Sequence, residues 1–197
     1  MAEPRSSSQN VVSRSRVRIF AFADRTTSWF LGVLACFFLG AFLQPARAIT
    51  VLDDRQQKVQ IDQAPQRIVS LLPSLTETVC ALNQCHKLVG VDRYSNWPVS
   101  VKLVPRVGGG LDPNIESIVA LKPNLVLAAG STRGADRLQA LGLNVLRLEP
   151  RNHADAQRVW RTVAQALYVP AADSDRAWQG IQAGVQAAVQ SLSPAAR

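Results

Sequence analysis

From residue 49 onward, apolar and polar positions follow two alternating rhythms. Short apolar runs read as strands, and most are followed by stretches with three- and four-residue apolar spacing that read as helices. Ile49 to Leu52 and Lys58 to Ile61 predict two short strands around a polar turn at Asp53-Asp54-Arg55, a hairpin decorating the start of a lobe. Arg67 to Leu72 predicts the first core strand, which stops at Pro73. Ser74, with Glu77 three positions on, predicts a capped helix to Leu82 that turns Leu75, Val79 and Leu82 to one side. Leu88 to Val91 predicts the second core strand, and Asp92 to Pro98 reads as a loop by composition.

A glycine-rich connection (Gly108, Gly109, Gly110) leads to a second helix over Asn114 to Leu121, with Ile115, Ile118, Val119 and Leu121 inward and Lys122-Pro123 as its stop. Asn124 to Ala128 predicts a third core strand and Ala129 to Thr132 its exit loop. A third helix runs to Leu141, with Gly142 at the C-cap. Asn144 to Leu148 predicts a fourth strand, and Asn152 caps a helix carrying Val159, Val163 and Leu167. From Ser174 to Ser191, the spacing of Trp178, Ile181, Val185, Ala188 and Leu192 predicts an amphipathic helix about 27 Å long. Nothing in the sequence covers its apolar face, so a second lobe is expected to be absent.

Repeated strand-to-helix units predict an α/β fold: a Rossmann-like lobe with a mostly parallel sheet flanked by helices, opened by the hairpin and closed by the long helix. In such sheets ligands bind beyond the C-terminal ends of the strands. The loops there aim Pro73, Tyr94 and Ser131 toward a common rim.

The front of the chain says where this lobe works. Residues 1–28 are polar and Arg-rich, and an apolar run from Trp29 to Leu43 is followed by Ala46-Arg47-Ala48. That pattern predicts an export signal over residues 1–48, cut after Ala48, with an uncleaved anchor as the rival reading. The run is shorter than the roughly 20 apolar residues of a comfortable membrane span. Val33-Leu34-Ala35-Cys36 is a poor lipidation motif, and the apolar run continues past Cys36. The expected divisions are therefore a signal over 1–48, the α/β lobe over 49–172 and the long helix over 173–197.

Export changes how charge and cysteine read. The formal net charge of +8 divides equally between the signal and the remainder, where no basic run is interleaved with aromatics. No nucleic-acid partner is expected. Cys80 and Cys85 form an even pair in an oxidising compartment, so a disulfide is expected if the first helix ends near Asn83 and the chain turns back. With His86 and His153 the only histidines, no set of metal ligands assembles and general-base options are sparse. Gly108 to Gly110 lacks the spacing of a phosphate loop. A small secreted enzyme and a non-functional truncated fragment are the competing readings.

Three blocks carry a family likeness: Arg67 to Glu77, Leu88 to Pro98, and Asn114 to Val126. Together they resemble class III periplasmic substrate-binding proteins, which feed ABC importers with cobalamin, haem and iron–siderophores. The likeness runs in order over roughly residues 58–190, and the second block is closest to cobalamin-binding members. It implies two α/β lobes joined by one long helix, with this chain holding only the first lobe and that helix. It also implies a periplasmic, non-catalytic protein with no cofactor, partnered by an inner-membrane permease.

Residue by residue, Pro73, Ser74 and Leu75 match the first ligand-side loop. Tyr94 matches an aromatic that lies against the corrin, with Ser95 and Trp97 beside it. Two positions where such members carry Trp are Gly110 and Ala129 here. Glu116 matches an exposed carboxylate that docks into an arginine pocket on the permease. Local readings stand beside these: Ser74 as a helix cap, Trp97 packing its loop down, and Glu116 serving the helix dipole. Trp160 and Trp178 read as core or inter-lobe packing, and His153 as a solvated first-turn residue.

Overall fold

Ile49–Leu52 (β1) and Lys58–Ile61 (β2) pair antiparallel, with Val51 opposite Val59. The structure, a computed structural model, describes residues 48–192, so the expected signal and Cys36 lie outside the described residues except for Ala48. Ile68–Ser70 (β3), Leu88–Val91 (β4), Leu125–Ala128 (β5) and Val145–Arg147 (β6) form a second, wholly parallel sheet in the order β4-β3-β5-β6. The helices are Pro73–Ala81 (α1), Ile115–Ala120 (α2), Ala135–Ala140 (α3), His153–Ala166 (α4) and Ala171–Ser191 (α5). Two 3₁₀ turns, Cys85–Lys87 and Val99–Leu103, lie between the elements expected from sequence.

The core strands are largely buried on both faces, as expected of a sheet covered on both sides. Ile68, Leu125, Leu127 and Leu146 pack with Leu75 and Val79 of α1 and Val159, Trp160 and Val163 of α4. Val69, Val126, Ala128 and Val145 pack on the other side with Ile115 and Ile118 of α2 and Leu138 of α3. A Cβ on Gly90 would sit 2.7 Å from Leu121 Cδ1, so a glycine in β4 lets the end of α2 lie against the sheet.

Helix ends explain where the chain reverses. After α1, Asn83 takes a φ of 61°, while its N–H and that of Gln84 bond back to the carbonyls of Cys80 and Val79. This is the paired-bond C-terminal reversal that favours asparagine or glycine. It brings Cys85 back to Cys80, with Sγ atoms 2.08 Å apart in a disulfide and Cα atoms 4.1 Å apart. Gly142 ends α3 in the same way.

Three expectations need correction. Ser74 does not cap α1: Leu72 is the N-cap residue and Pro73 the first helical one, with no side-chain cap bond. Proline at that position has no N–H to satisfy, and the Leu72 carbonyl takes the Leu75 and Thr76 N–H groups at 3.1 and 3.0 Å. Val119 is not inward; it is exposed on α2. The last helix starts three residues before Ser174, at Ala171, because Pro170 supplies its N-cap carbonyl to the Asp173 and Ser174 N–H groups. Ser174 is instead buried, where its hydroxyl and carbonyl accept from Trp160 Nε1 at 3.0 and 3.1 Å. Beyond Trp178, Ile181, Val185 and Val189 are exposed.

Candidate functional site

The order β4-β3-β5-β6 contains one reversal: the chain moves from β3 to β4, then crosses back to place β5 on the other side of β3. Loops leaving β3 and β5 therefore diverge, and open sheets bind ligands in the crevice this leaves. A depression of about 450 Å³ lies there, lined by Leu72 and Pro73 after β3, Tyr94 after β4, Gly110 and Leu111 before α2, and Ser131 after β5. The three residues aimed at a common rim do meet in it.

Tyr94 is 66% exposed, and the Arg93 guanidinium lies over its ring, 5.9 Å from the centroid. Arg93 is paired with Asp112 across the rim, and its N–H bonds the Gly108 carbonyl at 2.7 Å. Those contacts tie the β4 exit loop to the connection before α2. Gly110 and Ala129 both line the depression. A Cβ on Gly110 would lie 3.2 Å from the Leu71 carbonyl, so the backbone there already approaches closely.

Two of the residues expected to touch ligand are buried. Leu75 is 0% exposed on the inner face of α1, and Ser95 is 1% exposed. Ser95 turns inward because its hydroxyl meets Asp92 and Thr76 Oγ1, the latter at 2.9 Å. Thr76 Oγ1 in turn donates to Ser70 Oγ at 2.8 Å. Asp92, which the sequence reading passed over, organises this buried network and also accepts from the Tyr94 N–H at 2.9 Å. Its signal was present: an aspartate that bonds the backbone two residues on makes a compact turn.

Ser74 and Trp97 face elsewhere. They line a separate apolar cavity of about 530 Å³ with Cys80, Trp160, Trp178 and Ile181. Trp97 is 62% exposed there and does not line the sheet-edge depression. Trp160 and Trp178 pack against each other with ring centroids 5.5 Å apart, and His153 at the start of α4 lies 5.8 Å from the Trp178 ring. Glu116 is exposed on the first turn of α2, with Arg137 Nη2 3.9 Å from its carboxylate. A pair that open to water adds little to stability.

A second missed feature is Arg147, fully buried at the end of β6. Its Nη2 donates to Asp136 Oδ1 and Gln139 Oε1, both at 2.7 Å, on α3. Among the described residues, no group of three His, Cys, Asp or Glu side chains is placed to hold a metal ion.

The fold and the crevice have known counterparts. Residues 68–196 match the family described as periplasmic binding protein. The chain is 40% identical over 103 residues to the uncharacterized ABC transporter substrate-binding lipoprotein YvrC of Bacillus subtilis, covering 50% of this chain and 32% of that one. It is 38% identical over 120 residues to the vitamin B12-binding protein of Yersinia pseudotuberculosis, covering 59% and 42%. It thus spans less than half the length of these curated relatives. Among solved structures it is similar to a periplasmic haem-binding protein from Pseudomonas aeruginosa (30% identity, TM-score 0.55, covering 60% of this chain and 44% of that one). It is also similar to a periplasmic vitamin B12-binding protein of Vibrio cholerae (26% identity, TM-score 0.54, covering 62% and 49%).

Proposed function

The chain belongs to the periplasmic binding protein family, and on that premise we propose that it captures a flat metal chelate outside the cytoplasm, a corrinoid such as cobalamin in the first place. Delivery to an inner-membrane ABC permease is the step that follows. The chain binds and hands over without chemical turnover. Haem and iron–siderophores are the alternative ligands. Similarity to vitamin B12-binding proteins supports the corrinoid, and similarity to haem-binding ones supports haem.

The observation that carries this reading is the meeting of Pro73, Tyr94 and Ser131 in one depression at the reversal point of the sheet. A planar macrocycle needs broad apolar contact with a few polar groups to orient it. Tyr94 supplies an exposed aromatic ring, worth about 0.5–1.5 kcal/mol beyond the area it buries. Pro73 and Leu72 supply aliphatic surface, and Ser131 a hydroxyl. Ser95 serves from beneath, holding the β4 exit loop in place through Asp92 and Thr76. Glu116, on α2 and outside the depression, is the residue assigned to permease docking.

The test is an absorbance titration of the purified chain with hydroxocobalamin and, separately, with haemin. A saturable spectral shift with one of them is expected, weakened by about tenfold, or about 1.4 kcal/mol, in Tyr94→Ala. No shift with either at high micromolar concentration sinks the reading.

A further inference from the structure

The hairpin turn, a decoration of the lobe by its sequence pattern, is bound to the ligand rim. Arg55 Nη2 donates to the Gly130 carbonyl at 2.8 Å. Asp54 Oδ2 accepts the Glu149 N–H at 2.7 Å, and Glu149 Oε1 in turn stands 3.4 Å from the Ser131 hydroxyl. A Cβ on Gly130 would lie 2.8 Å from Glu149 Oε2, so that side chain rests directly on the rim backbone. Two neighbouring rim residues are therefore held from the hairpin, one directly and one through Glu149.

The hairpin turn is itself firmly fixed. Asp53 Oδ1 accepts the N–H groups of Arg55 and Gln57, both at 2.8 Å. The Asp54 N–H reaches the Arg147 carbonyl at 2.9 Å, and the Asp54 carboxylate pairs with Arg158 on α4. Arg55 Nη1 also lies 3.7 Å from Asp136 Oδ1, the same carboxylate that the buried Arg147 holds. Below the turn, Val51, Val59 and Ile61 are buried in the core.

We propose that Asp54 and Arg55 are positioning residues for ligand capture, which fix the segment from Ala129 to Thr132 so that Ser131 meets the chelate in a preset geometry. This rests on the binding reading above. A rim loop held before the ligand arrives loses less conformational freedom on binding, and that saving appears as affinity. Neither residue lines the depression; both act through Gly130 and Glu149.

The test combines amide hydrogen exchange with binding, using Arg55→Ala and Arg55→Lys in the otherwise intact chain. Exchange reports on the rim because the N–H groups of Ala129, Thr132 and Arg133 are bonded, to Thr132 Oγ1, Ala129 O and Gly110 O. Arg55→Ala is expected to speed exchange across residues 129–133. It should also weaken hydroxocobalamin or haemin binding by about three- to tenfold, the scale of one typical net hydrogen bond. Arg55→Lys, which can still reach one acceptor, should recover part of both effects, and the urea midpoint should barely move for so exposed a side chain.

Unchanged exchange across 129–133 in Arg55→Ala overturns the proposal whatever the ligand. Faster exchange with undiminished affinity overturns the positioning role. A parent chain that binds neither probe overturns the binding reading and the capture role with it, and the exchange arm then reports separately whether the turn holds the rim.

Discussion

Replacing Asp92 tests whether the rim is organised from below. The carboxylate is buried and accepts two bonds, from the Tyr94 N–H at 2.9 Å and from the Ser95 hydroxyl. Asp92→Ala removes both acceptors. Bonds to a charged group contribute about 1.5–3 kcal/mol each, and part of that returns because a charge no longer has to be desolvated. Ser95 keeps Thr76 Oγ1 as a partner, and Tyr94 lies close enough to water to recover some of its loss. The net destabilisation is therefore placed at about 2–4 kcal/mol, a fall of about 1–2 M in the urea midpoint at a slope near 2 kcal/mol/M.

Asp92→Asn separates charge from geometry. Its oxygen can still accept from Tyr94, and its amide can donate to Ser95 Oγ, whose proton then serves Thr76. The cost should be about 1 kcal/mol. Urea unfolding followed by tryptophan fluorescence ranks the parent, Asn and Ala forms, and chelate affinity should fall in the same order. An Ala form within about 0.5 kcal/mol of the parent, or equal to the Asn form, refutes the claim that Asp92 organises the rim.

Other substitutions address separate parts of the molecule. Leu75→Ala should destabilise by about 2–5 kcal/mol through a core cavity while leaving the affinity of the remaining folded protein unchanged, measured by titration below the unfolding transition. Trp160→Phe gives up the bonds to Ser174 and should cost about 1–2 kcal/mol in urea, with α5 exchanging faster near its start. Intact-mass measurement before and after reduction should show the gain of two hydrogens for Cys80–Cys85, and the double Ser variant should lose about 2 kcal/mol for so short a loop. The Arg158 pKa is raised, first by its hydrogen bond to Asp54 and further by the charges of Asp54 and Asp155, against the opposing effect of burial. Its contribution is complete below the ordinary arginine range and is lost only above it, so stability between pH 6 and 10 should show no titration from this group.

Much of the fold was legible because local signals agreed with one another. β1, β2 and β4 have the expected bounds, and Asn152 caps its helix through its side-chain oxygen as expected. Ser74 misled because the capping-box pattern was two positions out of phase with the helix that Pro73 starts. Ser95 and Leu75 misled because closeness in sequence to Tyr94 and Pro73 says nothing about which side of a turn faces water. Arg147 was hidden in an apolar run, and its partners Asp136 and Gln139 lie a helix earlier. The hairpin contacts to the rim span 75 and 95 positions, from Arg55 to Gly130 and from Asp54 to Glu149, a distance no periodicity reports.

From Ala177 to Ser191, α5 carries no charged side chain, only small, aliphatic and glutamine residues around Trp178. Over roughly 22 Å of rod, any neighbouring surface would find nothing for dissolved ions to shield. Raising ionic strength would leave such contacts intact, and a strongly salting-out anion would tighten them. Glu116, by contrast, offers a charge whose pull fades in brine, so two faces of one small lobe would answer the same bath in opposite senses.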